Sequence, residues 1–260
     1  MKINDNIDDG KQRAELLQAL KTTSAWQRAC ASSRPYSVIK TGFSDLDNVM
    51  ALGGWPLETT TELAFSSSGI GELRLLLPAL KKHLSTGGMS HLIWINPPYL
   101  PYAPALFKQN IDPARLLVVR PQGIKNILWA VEQALLSQSF AAVFTWTGAY
   151  RLNQKESRRL QLAVEKSSAW HVQFRHSDCL QQPSAARLRL NLASTNSGEL
   201  SITVCKQPQG VSDQHCLVSV APHYEHWRKI SVNSLPQPEP LKNRALKNAK
   251  LSRLNSARLD

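Results

Sequence analysis

Residues 62–80 read ELAFSSSGIGELRLLLPAL. A strand-like stretch runs into a Ser/Gly-rich turn, and the turn runs into an apolar helical pattern. That is the layout of a phosphate-binding loop, G-x-x-x-x-G-K-[ST]. Threading the loop places Ala64 at the first glycine, Phe65 and Ser66 to Ser68 in the spacer and Gly69 at the second glycine. Ile70 falls at the lysine position and Gly71 at the hydroxyl position. The glycines of such a loop let backbone N–H groups wrap phosphate. Its lysine offsets phosphate charge and its hydroxyl holds Mg²⁺. Here the turn formers remain while both charge-handling groups are absent. Glu72 adds a negative charge at the helix N-terminus, where phosphate would sit. An ordinary strand–turn–helix without nucleotide history fits the loop alone equally well.

Working outward, the elements alternate. TGFSDLDNVMALGGWP (41–56) predicts a short helix capped by Ser44, carrying Leu46, Val49 and Met50 and ended by Gly53-Gly54. After the loop, Leu73, Leu76, Leu77, Leu80 and Leu84 form one helical stripe, with Pro78 expected to kink or break it. HLIWIN (91–96), LLVVR (116–120), FAAVFTW (140–146) and residues 170–174 read as strands. Between them, Asp112-Pro113 caps a turn, and helices are predicted over 123–138 and 154–167. Thr145-Trp146 occupies the strand end where a metal-holding carboxylate is wanted, and Asn96-Pro97-Pro98 offers no Glu to orient a water. Together with Ile70, these positions predict no NTP hydrolysis, no catalytic residue and no cofactor.

Beyond residue 187 the period changes to two. Leu188, Leu190 and Leu192 alternate with Arg187, Arg189 and Asn191, and Leu200, Ile202 and Val204 alternate with Ser201, Thr203 and Cys205. This predicts an antiparallel pair with one apolar face, connected through Gly198. The expected fold is α/β, a mostly parallel sheet covered on both faces with a C-terminal antiparallel hairpin.

The chain has 260 residues, 42% of them hydrophobic, which argues against a fully disordered protein. Lys and Arg number 31 against 19 Asp and Glu, a net charge of +12 that favours an anionic partner. Four scattered cysteines without a C-x-x-C pair fit a reducing cytoplasm. No secretory leader and no apolar run long enough to span a membrane are expected. His171, His176 and Cys179, or Cys216, His223 and His226, lack paired metal-ligand spacing, so no metal site is expected. Tyr99, Tyr102 and Phe107 suit base stacking, although packing is at least as good an account of them.

From Lys40 to about Arg151 the chain resembles the RecA recombinase core. TGFSDLDNVMALGGWP is similar to the segment before the RecA phosphate loop, and Glu62-Leu63 to the strand entering it. GELRLLLPAL (71–80), PPYLPYAPALF (97–107), IDPARLLVVRP (111–121) and WAVEQAL (129–135) resemble the ImuA family of RecA-related proteins. The likeness spans most of residues 36–206. It implies a RecA-like P-loop core and a non-catalytic adaptor role in the SOS response to DNA damage. The adaptor would serve translesion synthesis, bridging RecA and an inactive Y-family polymerase homologue within a mutasome. The related SulA family of SOS cell-division inhibitors, which bind the tubulin-like division protein, is the alternative.

Three regions are expected: an N-terminal helix (1–34), the core (35–228) and a Pro-rich linker with a basic tail (229–260). Leu16, Leu17 and Leu20, with the extended Tyr36 and Val38, are the expected surface for RecA or for self-association. In the tail, Leu246, Leu251 and Leu254 are expected to bind the polymerase-like partner. Lys242, Arg244, Lys247, Lys250 and Arg253 are expected to touch DNA. The last twenty residues carry six cations and one acid.

Overall fold

The computed structural model describes residues 36–86, 91–195 and 198–220. The expectations placed on Leu16, Leu17, Leu20, Leu246, Leu251, Leu254, Lys242, Arg244, Lys247, Lys250 and Arg253 lie outside them. So do the helix expected over 11–30, His223 and His226. No described helix is long and apolar enough to cross a membrane.

A two-stranded antiparallel ladder, β1 (Val38–Ile39) with β2 (Trp55–Pro56), brackets helix α1 (Ser44–Val49). Val38 and its neighbours thus already have one strand partner within the chain. Ser44 is not the cap expected from sequence. The N-cap is Phe43, with no side-chain cap bond, and Thr41 closes that turn by accepting from the Phe43 N–H at 3.0 Å. Gly42 sits at φ 91°, and a Cβ there would fall 2.6 Å from the Cβ of Pro78, so a glycine is needed for this close approach.

The main sheet has eight strands: β3 (Thr60–Phe65), β4 (His91–Ile95), β5 (Leu116–Val119), β6 (Phe140–Gly148), β7 (Trp170–His176), β8 (Leu188–Ser194), β9 (Leu200–Lys206) and β10 (Gln214–Val218). Their order is β10-β9-β8-β3-β7-β6-β4-β5. Six strands, from β8 to β5, run parallel, and β9 and β10 add antiparallel pairs. The α/β class and the antiparallel extension agree with the sequence reading, but β10 adds a third strand to the expected hairpin.

Helix α2 (Glu72–Thr86) follows β3 and runs through Pro78 without ending. Its buried side is Glu72, Leu75, Leu76, Ala79 and Leu80, a stripe rotated from the one expected, with Leu73, Leu77 and Leu84 only partly covered. A short helix α3 (Ala103–Lys108) and a 3₁₀ turn (Pro113–Arg115) join β4 to β5. Asp112 caps that turn by accepting from the Ala114 N–H at 2.9 Å. Helix α4 (Ile124–Leu136) and helix α5 (Gln154–Val164) complete the layers. Asn153 and Glu156 form a reciprocal capping box at the start of α5.

Strand alternation separates two cores. Leu92 and Trp94 of β4, Phe144 and Trp146 of β6, and Trp170 and Phe174 of β7 join α2. Ile93, Ile95 and Val143 join α4 and α5 instead. The first core is aromatic. Trp146 stacks on Phe174 at 4.4 Å and 12°, and Phe144 meets Phe174 edge-on at 5.8 Å and 77°. Such pairs contribute about 0.5–1.5 kcal/mol each beyond burial.

The second face carries buried polar groups beneath its helices. Glu62 of β3 lies between Arg175 of β7 (3.2 Å) and Arg189 of β8 (2.6 Å). Arg189 also donates to the carbonyls of Cys179 and Gln182. Arg189 keeps the alternation expected from sequence, opposite the apolar face, and is buried there.

Candidate functional site

The site forms where β3 leaves the sheet. Ser66, Ser67, Ser68 and Gly69 are exposed, and Gly69 (φ 88°) and Gly71 (φ 111°) turn the chain into α2. A Cβ on Gly71 would meet Val220 Cγ2 at 2.7 Å, so both backbone angle and space demand glycine. Ile70, at the lysine position, packs against the aromatic core and supplies no charge.

The decisive contact belongs to Glu72, which is buried in the first turn of α2. Its carboxylate turns back over the loop. Oε1 accepts from the Gly69 N–H at 3.0 Å, and Oε2 accepts from the Gly69 and Gly71 N–H groups at 3.1 Å each. These are the donors a phosphate would use at a helix N-terminus. An internal carboxylate therefore holds the anion position of the loop. Ala64, at the first glycine position, is buried inside β3 rather than in the turn.

Beyond the loop, a cavity of about 400 Å³ opens at the C-terminal ends of β3, β4, β6 and β7. Open parallel sheets hold ligands at this edge. The serines of the loop form one wall, Pro97 and Pro98 another, and Trp146 and Phe174 the apolar floor. Arg120, Arg175 and His176 add polar and cationic groups, and among the described residues no carboxylate lines it. Asn96 sets the far side with a left-handed backbone (φ 57°). Its N–H donates to Val119 at 2.7 Å and its Nδ2 to the Trp146 carbonyl at 3.0 Å, tying three strand ends together. Thr145 and Trp146 are buried at the end of β6, so no carboxylate stands opposite the loop there.

The sequence brought Ser68, Gly69, Ile70 and Gly71 to this site, and the structure keeps them together. It adds Arg120, which no sequence pattern marked, and His176, which the sequence offered only as a metal ligand. Val38 opens β1 and Tyr36 lies two residues before it, and neither lines the cavity. Tyr99, Tyr102 and Phe107 are not packing residues. They are 72%, 72% and 73% exposed.

His171 is fully buried against the Thr60 hydroxyl (Nδ1 to Oγ1, 3.0 Å), and burial pushes its pKa down to about 3. His176 caps the turn that follows β7. Burial likewise raises the Cys179 thiol, and it pushes Cys216 up to about 11. Among the described residues no three such side chains gather where a metal ion could be held.

These features define an α/β protein with a mostly parallel sheet, compatible with a Rossmann- or P-loop-like core, whose loop is filled by its own carboxylate. No family model matches the sequence, and no curated protein matches it.

Proposed function

We propose that this chain is a RecA-like protein without ATPase chemistry, acting as an adaptor in SOS-induced translesion synthesis. In that role it bridges RecA and an inactive Y-family polymerase homologue in the cytoplasm. The observation that supports the non-catalytic part is the Glu72 carboxylate on the Gly69 and Gly71 N–H groups. A γ-phosphate brought to that position would meet a fixed negative charge and no lysine. The pathway rests on the resemblance of residues 71–80, 97–107, 111–121 and 129–135 to the ImuA family.

Two measurements test the reading. Purified protein with Mg²⁺ and ATP is expected to show no turnover above background, with or without single-stranded DNA. Turnover that Gly69→Ala abolishes would refute the reading of the loop. Removing the gene is expected to abolish damage-induced mutagenesis while leaving cell division normal. Unchanged mutagenesis, with filamentation when the protein is overproduced, would favour the division-inhibitor alternative.

A further inference from the structure

We propose that the cavity at the sheet edge and the adjoining Tyr99–Phe107 surface form one docking site. Its occupant is an acidic peptide carrying an aromatic or large aliphatic anchor. The inference deepens the adaptor reading and rests on it, since an adaptor needs such a surface.

Three observations carry it. Tyr99, Leu100, Tyr102 and Phe107 are 72%, 74%, 72% and 73% exposed within one short segment. Scattered single apolar residues are ordinary on a surface, but four large ones together mark a contact. The segment is held by Leu106 and Ile111, which are buried, so its other large side chains are left outward.

The second observation is the cavity itself. At about 400 Å³ it takes a large side chain, and Phe65, Trp146 and Phe174 give it apolar walls. Pro97 and Pro98 belong both to its rim and to the start of the exposed segment.

The third observation is charge. Residues 96–125 contain Lys108, Arg115, Arg120 and Lys125 against the single acid Asp112, which faces Arg115 at 3.7 Å. Arg120 is exposed at the cavity, where among the described residues no carboxylate lines the wall and the nearby Asp178 is paired with His176 at 3.2 Å. Arg175, in the cavity lining, shares the one carboxylate of Glu62 with Arg189, so the local balance is positive. An incoming acid offsets it. The basic tail of the same chain has the wrong sign for this surface. A nucleic acid strand would use the cations and the aromatic faces, but it leaves Leu100 and the apolar cavity without a role.

The test is selection of a random ten-residue peptide display library on the full chain. Counter-selection uses the triple variant Tyr99→Ser, Phe107→Ser, Arg120→Ala, whose substituted side chains are all exposed. The expected outcome is a consensus of Asp or Glu flanking Phe, Trp or Leu. A synthetic consensus peptide is expected to bind the variant at least about tenfold more weakly, and to lose as much when its own anchor becomes Ser. No consensus, or one without acids, overturns the proposal. Equal binding to parent and variant overturns it too, because the contact then lies elsewhere on the chain. So does displacement of the peptide by oligothymidylate that binds more tightly and is equally sensitive to the variant. None of these results alters the ATP and mutagenesis outcomes, so failure here is distinct from failure of the adaptor reading.

Discussion

Glu62 and Glu72 are the two buried carboxylates among the described residues, and they answer the loss of water differently. Glu62 sits inside β3 and is met by side chains from other elements: Arg175, Arg189 and the Ser184 hydroxyl. Glu72 is the first residue of a helix and is met by backbone N–H groups within three residues of itself. The first arrangement needs three strands assembled in register. The second needs only a turn of the right shape. Glu62 therefore reports on the completed sheet, whereas Glu72 reports on the loop.

The largest expected effect follows from Glu62. Glu62→Ala leaves two guanidiniums buried without their carboxylate, and removing one partner of a buried pair costs about 3–5 kcal/mol. Urea unfolding followed by circular dichroism measures it. Replacing the set together (Glu62→Leu, Arg175→Met, Arg189→Met) is expected to recover most of that loss, since no charge is then left unpaired. A cost below about 1 kcal/mol for Glu62→Ala would mean that the guanidiniums find water, and the contrast with Glu72 would collapse.

The same face supplies a pH test. His171 keeps a pKa of about 3 because burial disfavours its charged form. In the unfolded chain it titrates near 6.5. Below that pH the unfolded state binds a proton that the native state refuses until about pH 3. Native stability is complete above pH 6.5 and falls as pH drops, by about 1.4 kcal/mol per unit. The loss from this group between pH 6.5 and 4.5 is about 2–3 kcal/mol. Other groups titrate in the same range, so the useful quantity is the difference between parent and His171→Gln. The variant is expected to have the shallower slope. Parallel slopes would show that water reaches the imidazole.

The contacts of Phe174 on the aromatic face involve no charge. Phe174→Leu keeps much of the volume but removes the stack on Trp146 and the edge contact with Phe144. A loss of about 1–2 kcal/mol, the same at pH 5 and pH 8, is expected. A marked pH dependence would show that the two faces are coupled through the sheet.

The sequence announces these regions unequally. Strand–helix alternation, the loop and the hairpin were legible because each depends on a local period or a local turn. Glu72 was half legible: its position at a helix start warned of a conflict with phosphate, but not that its carboxylate would turn back onto Gly69 and Gly71. The burial of Arg189 was not legible, because a period of two assigns a face and cannot say that other segments cover it. β10 was missed because only Cys216 and Val218 of its five residues are buried. For Tyr99, Tyr102 and Phe107 the sequence leaves base stacking and packing both open, because aromatics usually bury. Nothing local reveals that Leu106 and Ile111, rather than the aromatics, take the buried positions of that segment.

The smallest effect on stability is the most informative about the loop. Glu72→Ala removes the carboxylate from two N–H groups, one of them on exposed Gly69, where water replaces it readily. The expected cost is about 1 kcal/mol, because Ala offers good helix propensity while the favourable charge at the helix N-terminus is lost. The freed donors then face outward at the start of α2, the arrangement that binds anions at helix N-termini. Inorganic phosphate is therefore expected to raise the melting temperature of Glu72→Ala by about 2 °C and to leave the parent unchanged at the same ionic strength. Glu72→Gln keeps one acceptor over the loop and is expected to respond less. If phosphate stabilises the parent as much as Glu72→Ala, the carboxylate does not occupy the anion position in solution. The loop would then be open to a phosphate ligand in spite of Ile70.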